Sequence, residues 1–282
     1  MPQSPNRLAA QIELSVVVPM FREARRIGVT LQDLVPTLAA GSRASELLLV
    51  DDGSPDETVA AAMPFIDAGP RGSLLSLRLL RHRRNLGKGA AVRTGLAAAR
   101  GRWRLIMDAD NAATIREVEK LFPRVGSGVG LVAGSRVAPG AAVDAVPSRR
   151  LAGLFFKAAL RVMRLDLLAD TQCGFKLYRA DLAEQVAAHG REDGYAFDLE
   201  HLLIARACGV NVEEVGIAWT HRDGGQVRPV RDGLRMLRRA LSIRARAREL
   251  AGLVRTLPAT QPEARPEIVI AFPAARPVLE AS

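Results

Sequence analysis

The sequence predicts an α/β fold, with a mainly parallel central sheet and helices on both of its faces. Short apolar runs typical of buried strands alternate along the chain with segments whose apolar residues recur at helical spacing. Alternation of this kind implies parallel strands joined by helices. The chain has 282 residues, enough to bury the core of one large domain.

The strand and helix signals follow one another in a regular order. The first strand, Leu14–Pro19, is a β-branched run closed by proline, and a helix with an apolar stripe runs from Glu23 to about Ala39. A turn cluster at 51–58 offers Ser54 or Asp56 as a helix cap. Further strands are predicted at 46–50, 74–80 and 103–107, and a further helix opens at Asn85 and runs to Arg100.

Carboxylates follow two of the predicted strands at the point where each strand ends. Asp51 and Asp52 follow the second strand, and Asp108 and Asp110 follow the fourth. Ligands of parallel sheets bind beyond the carboxyl ends of the strands, so these acids would gather on one rim. Asp108 and Asp110 would share a strand face and could hold Mg²⁺ or Mn²⁺, whose shell substrate phosphates complete. The alternative is a turn in which Asp110 or Asn111 caps the next helix, and the convergence of two strand ends weighs against it.

The segment Gly87-Lys88-Gly89 opens the predicted third helix. Glycines at a helix start let backbone amides approach a phosphate, but a Gly-x-Gly is common and this one does not match the P-loop pattern. A phosphate-binding role and a purely structural role both stay open here.

The charge of the chain requires an anionic partner or an explanation in terms of solubility. The formal net charge is +10, the sequence pI is near 10.8, and arginine dominates the basic residues. Aromatic residues make up only 4% of the chain, which disfavours the stacking surfaces of single-strand nucleic-acid binding. Anionic lipid headgroups and phosphorylated small molecules fit better, and no nucleic-acid partner is predicted.

Cysteine content and hydropathy predict a cytosolic protein. No apolar run approaches the roughly 18 residues of a membrane-spanning helix, and the first residues lack the pattern of a secretory signal. Cys173 and Cys208 are too few for a disulfide framework and lack the spacing of a zinc site, so both are predicted to be reduced thiols.

Several ordered motifs carry a resemblance to a known family. The chain resembles family 2 glycosyltransferases of the GT-A fold in SVVVPMFREARRI (15–27), LLLVDDGSPDET (47–58), NLGKGAAVRTGLAAARG (85–101) and MDADNAAT (107–114). Its second half is similar to the dolichyl-phosphate glucosyltransferase branch and its bacterial polyprenyl-phosphate relatives in GSR (134–136), DTQCGFKLY (170–178), GYAFDLEHLLIA (194–205) and WTHRDGGQVRPVRDGLRML (219–237). The resemblance covers roughly 14–246.

The resemblance implies a nucleotide-sugar pocket and a metal site. Asp108 and Asp110 would bind the divalent ion and the diphosphate, with Mg²⁺ or Mn²⁺ as the cofactor. The nucleotide sugar would contact Pro19, Phe21, Glu23, Asp51, Asp52, Lys88, Asp108 and Ala109.

The resemblance also implies catalytic and acceptor-side residues. Arg136 and Arg149 would meet phosphates through their planar forks, although Arg149 could instead be a solvated charge at a helix start. Asp198 would orient the acceptor or bind its cation, or would simply be a carboxylate near a helix N-terminus. The acceptor contacts would come from Gln172, Arg222 and Arg228.

One departure from the family pattern affects the acceptor side. Dolichyl-phosphate sugar synthases typically have Gly-Ser-Lys after the Trp-Thr strand, whereas this chain has Gly224-Gly225-Gln226. The phosphate-facing lysine is absent, and Arg222 or Arg228 is the candidate substitute.

The function implied is inverting transfer of a sugar, with glucose from UDP-glucose favoured, onto a polyprenyl or dolichyl monophosphate. The segment 111–114 is more similar to the glucosyl than to the mannosyl branch. A lipid phosphate with a second pKa of about 6 is largely ionised at neutral pH, so no strong general base is needed. The alternatives are a GDP-mannose-dependent mannosyltransferase and a non-catalytic basic protein that binds anionic lipid or nucleic acid.

Two basic amphipathic stretches predict a peripheral position at the inner face of the membrane. They are Ser148–Arg164 and 232–250, and in the second Leu234, Leu237 and Leu241 lie among arginines that include Arg235, Arg238 and Arg239. The alternative is an ordinary surface helix whose apolar stripe faces the core. A membrane flippase or a second copy of the chain is a further candidate partner.

The predicted organisation has four parts. Residues 1–12 form a disordered lead, 13–231 the GT-A domain, 232–257 a basic amphipathic helical region and 258–282 a Pro/Ala-rich mobile tail. Within the tail, 268–272 could form a short strand.

Overall fold

The computed structural model describes residues 12–69, 73–144, 160–163, 165–222, 229–254, 256–257 and 278–281, with the backbone alone for 229–234 and 278–281. The strands in these ranges are β1 (Leu14–Met20), β2 (Ser45–Asp51), β3 (Leu75–His82), β4 (Trp103–Ile106), β5 (Val129–Ser135), β6 (Ala142–Asp144), β7 (Lys176–Arg179), β8 (Asn211–Gly216), β9 (Ala218–Thr220) and β10 (Val278–Ala281). The helices are α1 (Ile27–Ala40), α2 (Thr58–Ala68), α3 (Lys88–Ala98), α4 (Val118–Leu121), α5 (Ala180–His189), α6 (Phe197–Ala207), α7 (Pro229–Ala245) and α8 (Ala247–Leu253).

Eight of these strands form one mainly parallel sheet in the order β10-β3-β2-β1-β4-β7-β5-β8. Only β7 runs antiparallel, between β4 and β5. The chain builds outward from β1 through β2 to β3 and then returns to pair β4 with the other side of β1. The gap between β1 and β4 is therefore a switch point, where ligands of α/β sheets bind. A second, two-stranded parallel sheet joins β6 to β9.

Both faces of the sheet are buried, as the sequence predicts. Successive side chains of a strand point to opposite faces, and β1 shows this directly. Val16 and Val18 belong to one apolar core with Leu31 of α1, whereas Val17 belongs to a second core with Leu96 of α3. The sheet thus separates two apolar layers and holds its loops on a rigid base.

Several element boundaries differ from the prediction. Helix α1 begins at Ile27 and not at Glu23, because the Glu23 carbonyl accepts the N–H groups of Arg26 and Ile27 in a turn that precedes the helix. Strand β4 ends at Ile106. Helix α2 begins at Thr58, whose N–H donates to the Asp56 carboxylate. Ser54, the other predicted cap, does not bond to this helix start but accepts the Arg22 N–H.

The C-terminal helices pack on the core through a different face from the predicted stripe. Met236, Ala240 and Ile243 of α7 are buried, whereas Leu241 is 55% exposed. Leu237 lies between these extremes, partly buried against the core. The core-facing residues of α7 therefore differ from the predicted stripe, which is exposed at Leu241.

The described residues include only the end of the first amphipathic stretch. Of Ser148–Arg164 the structure describes 160–163, where Leu160 is buried and Val162 is exposed; the remainder lies outside the described residues. The predicted boundary at 231 falls inside α7, and the last residues of the predicted tail pair with β3 as β10. The other tail residues and the lead up to residue 11 lie outside the described ranges. None of the described helices combines the length and apolar character needed to cross a bilayer.

Candidate active site

A cleft of about 710 Å³ lies at the carboxyl ends of β1, β2 and β4. Its size suits a small-molecule ligand. Five segments far apart in sequence contribute its walls, together with α7. The lining includes Pro19, Met20, Phe21, Glu23, Arg26, Asp52, Asn85, Leu86, Gly87, Lys88, Asp108, Ala109, Asp110, Glu192, Asp193, Gly194, Tyr195, Arg235, Met236 and Arg239.

The carboxylates Asp108 and Asp110 both line the cleft, but a turn and not the strand places them there. Because β4 ends at Ile106, the two acids do not share a strand face as predicted. The Ala112 N–H donates to Asp110 Oδ1 at 3.0 Å, and Asn111 has a positive φ of 55°. The next helical turn begins at residue 115 without a side-chain cap, so neither Asp110 nor Asn111 caps it.

Lys88 is the cation that bonds Asp108. Its Nζ donates to Asp108 Oδ1 at 2.6 Å, and it lies 5.9 Å from the centre of the Phe197 ring. Burial disfavours its charged form, but Asp108 more than offsets this and raises the pKa of Lys88 above its usual value. Lys88 is therefore a permanent positive charge beside the carboxylates.

The acids of the cleft repel one another. Burial and the neighbouring Asp108 raise the pKa of Asp110. Burial also raises the pKa of Glu23, with contributions from Asp110 and Asp108, although Arg26 opposes the rise. A cation between these groups would relieve the repulsion.

The donor set fits a hard divalent ion that is completed by its substrate. In the described part of the chain no three His, Cys, Asp or Glu side chains form a cluster able to hold a metal by themselves. Asp108 and Asp110 offer oxygen ligands from two residues, which suits Mg²⁺ or Mn²⁺ because these ions commonly take one or two carboxylates, water and substrate phosphates.

Asp52 is held by a dense set of hydrogen bonds. Its Oδ1 accepts the Leu86 N–H at 2.9 Å and lies 2.7 Å from His82 Nδ1. Its Oδ2 accepts the Gly87 N–H and the Asn85 side-chain amide, each at 2.7 Å. Asp52 lines the cleft as predicted, and it also anchors the 85–87 segment that forms the adjacent wall.

Asp51 differs from its neighbour, because it is fully buried and does not line the cleft. Its carboxylate accepts the Ser54 N–H and pairs with Arg81 at 3.2 Å. The hydroxyl of Ser54 in turn accepts the Arg22 N–H, so it ties the β1 loop to the β2 loop. Asp51 acts on the site through this turn.

The glycines Gly87 and Gly89 serve a close approach between chain segments. The Gly89 N–H at the start of α3 donates to the Asp193 carbonyl at 2.7 Å, and the Gly87 N–H donates to Asp52. A Cβ on either glycine would clash with the backbone of 192–193. Both N–H groups donate to acceptors within the protein. For these two glycines the structure therefore supports the structural role and not the phosphate-binding role.

A second close approach involves Gly174, which lies against the carboxylate of Asp108, where a Cβ would clash. The segment before β7 is fixed by Lys176, whose Nζ donates to the Thr171 and Cys173 carbonyls at 3.1 and 2.6 Å. Cys173 is buried, and burial raises its pKa to about 12. It is therefore an inert thiol in the wall behind Asp108.

Asp198, in the first turn of α6, is buried and does not line the cleft. Its Oδ1 accepts a hydrogen bond from Lys176 Nζ at 2.6 Å. Burial raises the pKa of Asp198, and Lys176 limits the rise. In this geometry Asp198 secures the lysine that fixes the 171–173 segment.

The predicted phosphate and acceptor residues are only partly brought to the cleft. Arg136 makes a bidentate pair with Asp170 at 2.7 and 2.8 Å; although burial opposes it, this pairing raises the pKa of Arg136. Gln172 contacts Met236 of the cleft wall. Arg222 is exposed after β9. Arg149 and Arg228 lie outside the described residues.

Helix α7, whose arginines were predicted to face a membrane, also contributes to the wall of the cleft. Arg235, Met236 and Arg239 line the cleft, and Arg239 Nε lies 3.1 Å from Glu192 Oε2. Arg238 is exposed and does not line it.

Residues 15–187 match the family described as glycosyl transferase family 2. The chain is a family 2 glycosyltransferase. It is also 30% identical over 247 residues to a dolichyl-phosphate beta-glucosyltransferase of Dictyostelium discoideum, with 83% of this chain and 75% of that protein covered. A dolichyl-phosphate beta-glucosyltransferase of Homo sapiens gives the same identity and coverage.

Two solved mycobacterial structures share the fold. Glucosyl-3-phosphoglycerate synthase from Mycobacterium tuberculosis, in complex with Mn²⁺ and UDP-glucose, superposes with a TM-score of 0.59 at 22% identity, covering 88% of this chain and 82% of that one. A further mycobacterial protein gives a TM-score of 0.61 at 23% identity, covering 88% and 77%. This glycosyltransferase thus has the predicted GT-A fold.

The sequence missed one wall of the site, the loop at 190–196 between α5 and α6. Its Glu192, Asp193 and Tyr195 line the cleft, and Arg93 of α3 holds Asp193 at 2.5 Å. Part of this loop lies within the motif at 194–205, and that motif was the one feature of the sequence that could have indicated a role for the loop in the site. Nothing in the local sequence indicates its pairing with α3, which is about a hundred residues away.

Proposed function

We propose that this glycosyltransferase moves glucose from UDP-glucose to a polyprenyl or dolichyl monophosphate, with inversion at the anomeric carbon and with Mg²⁺ or Mn²⁺. The observation that carries the proposal is the position of Asp108 and Asp110 in the cleft at the β1/β4 switch point, with Lys88 paired to Asp108. The names of the relatives support the sugar and the acceptor, and the bound UDP-glucose and Mn²⁺ of the structural neighbour support the donor and the ion.

The residues of the chain have separable tasks in this reaction. A divalent ion held by Asp108 and Asp110 would stabilise charge on the departing diphosphate. Lys88 keeps Asp108 oriented and adds a fixed positive charge, while Asp52 keeps the 85–87 wall in place for the nucleotide. Preorganised charges of this kind need no rearrangement as the bond breaks.

The acceptor needs little activation if it is a phosphate monoester, which is largely ionised at neutral pH. This is consistent with the position of Asp198, which is buried against Lys176 and away from the cleft lining. Asp198 is proposed to position the 171–173 segment. The attacking oxygen would approach from the face opposite to the departing UDP, and this gives the inverted product.

A peripheral position at the inner face of a membrane is part of the proposal. Leu241 is exposed on α7, and the exposed Arg244 follows it at i+3, on the same side of the helix. An exposed apolar side chain beside a basic one suits the interface of an anionic bilayer. A flippase or a second copy of the chain remains a predicted partner without support from the contacts described.

The donor is tested by thermal unfolding with a panel of UDP- and GDP-sugars, with and without Mn²⁺. UDP-glucose with Mn²⁺ is expected to raise the melting temperature by several degrees, because a ligand well above its Kd stabilises the fold. Asp110→Asn is the control and should lose the Mn²⁺-dependent part of the shift. A larger shift with GDP-mannose would favour the mannosyl alternative.

A further inference from the structure

The cations of the cleft differ in whether they are already paired. Lys88 is bonded to Asp108 at 2.6 Å, and Arg26 makes two bonds of 2.7 Å to Glu23. Arg239 pairs with Glu192 at 3.1 Å. Among cleft-lining cations in the described ranges, Arg235 is the one without a carboxylate partner.

Helix α7 presents three different surfaces, and this explains where Arg235 and Arg239 point. Met236, Ala240 and Ile243 are buried in the protein. Arg235 and Arg239, one helical turn apart, line the cleft. One helix therefore joins the core, the cleft and the outer surface.

A phosphate that enters this cleft meets many carboxylates. Glu23, Asp108, Asp110, Glu192 and Asp193 all line it. A divalent ion would neutralise the negative charge of Asp108 and Asp110, which lie in the turn after β4. The proposed reaction places no such ion beside Glu192 and Asp193. A second anion could bind on that side only beside cations that are not fully neutralised.

We propose that Arg235 and Arg239 form a second phosphate subsite, which binds the phosphate monoester of the acceptor. This rests on the proposed function, which it deepens by naming the acceptor-binding groups. Arg235 has no carboxylate partner among the residues that the structure describes, and Arg239, which is 53% exposed, can share its donors between Glu192 and the phosphate. Leu241 is exposed on the outer face of the same helix. A lipid whose chain contacts Leu241 would therefore have its phosphate close to Arg235 and Arg239.

The donor diphosphate is the other phosphate that these arginines could bind, and the experiment separates the two. The variants are Arg235→Ala, Arg239→Ala and the double variant. The matched control is Arg238→Ala, which removes an exposed arginine of the same helix that does not line the cleft. The acceptor is farnesyl phosphate without vesicles, so that membrane binding does not enter the measurement.

Loss of the subsite is expected to raise the KM for farnesyl phosphate about ten-fold or more in Arg235→Ala and further in the double variant. The Kd for UDP with Mn²⁺, measured by calorimetry, should stay within about two-fold of the wild type, as expected for groups that contact only the acceptor. Arg238→Ala should match the wild type in both. Because Arg239 also holds the 190–196 loop through Glu192, thermal unfolding checks each variant, and Arg235→Ala tests the subsite without that contact.

Two results would overturn the subsite while leaving the proposed function intact. One is an unchanged acceptor KM in the double variant, with the wild type active. The other is a raised Kd for UDP with an unchanged KM for the acceptor, which would show that the arginines bind the donor diphosphate. If the wild type transfers no glucose, the proposed function fails, and calorimetric binding of farnesyl phosphate to the wild type and the double variant still decides the subsite.

Discussion

Gly174 lies so close to the carboxylate of Asp108 that no side chain fits between them. The contact joins the segment before β7 to the turn after β4, two parts of the chain separated by more than sixty residues. Lys176, which bonds the carbonyls of 171 and 173 and the carboxylate of Asp198, fixes the same segment. The position of Asp108 is therefore determined by contacts from outside its own turn.

Gly174→Ala is expected to lower kcat by about ten-fold or more, because even a displacement of about 1 Å at a catalytic group is costly. Steady-state kinetics with UDP-glucose measures the effect. Gly28→Ala is the control, since a Cβ there meets nothing within 4 Å and lies in α1. Equal activity of the two variants would show that Asp108 tolerates the shift.

Asp110→Asn is expected to abolish turnover and, without divalent ions, to stabilise the protein at neutral pH. The pKa of Asp110 is raised above its ordinary 3.8, so the folded state binds this proton more tightly than the unfolded state does. The ionised carboxylate therefore costs stability as the pH rises above 3.8, and asparagine avoids that cost while it can still accept the Ala112 N–H.

Chemical denaturation at several pH values measures this effect. The advantage of Asp110→Asn should be greatest at neutral pH, should shrink as the pH falls toward 3.8, and should reverse when UDP and Mn²⁺ are added to the wild type. A variant that is less stable than the ion-free wild type at neutral pH would contradict the repulsion described for the cleft.

Asp52→Ala is expected to destabilise the protein by about 2 kcal/mol or more, because the buried His82 and the partly buried donors of the 85–87 segment lose their partner. UDP affinity should fall as well, since that segment lines the cleft. Urea unfolding gives the stability change. Asp56→Ala, which removes an exposed carboxylate bonded to Thr58, should cost clearly less. A loss of UDP affinity with full stability would instead make Asp52 a direct nucleotide contact without an anchoring role.

Leu241→Asp is expected to weaken binding to anionic vesicles about ten-fold or more, as burial of a leucine side chain is worth about 1.5–3 kcal/mol. Vesicle sedimentation measures it, and activity on farnesyl phosphate should be retained. Val29→Asp is the control, because Val29 is 69% exposed on α1. If both variants sediment like the wild type, α7 does not face the bilayer through Leu241.

Much of the fold could be predicted because the strands are near-continuous apolar runs. Leu14–Met20 and Ser45–Asp51 are buried throughout, and the acids after β2 and β4 followed from the geometry of a parallel sheet. The resemblance to family 2 glycosyltransferases predicted the family of the chain, and the family match over residues 15–187 confirms it.

Other features could not be predicted, because distant parts of the chain decide them. The glycines of 87–89 are explained by the 192–193 backbone, which lies about a hundred residues away. In α7 the buried face is built from Met236, Ala240 and Ile243. Alanine is only weakly hydrophobic, so the sequence gives little sign of this face. The more apolar Leu241 is exposed. The roles of Arg149 and Arg228 remain predictions from the resemblance.

The most direct test of the proposed function is product analysis after incubation with UDP-glucose, a polyprenyl phosphate and Mn²⁺. The account predicts a glucosyl phospholipid with the β configuration by NMR, formed with a kcat/KM at least about ten-fold above that with GDP-mannose. Addition of a chelator should stop its formation. Formation of the α anomer, preference for GDP-mannose, or hydrolysis to free glucose with no lipid product would contradict it.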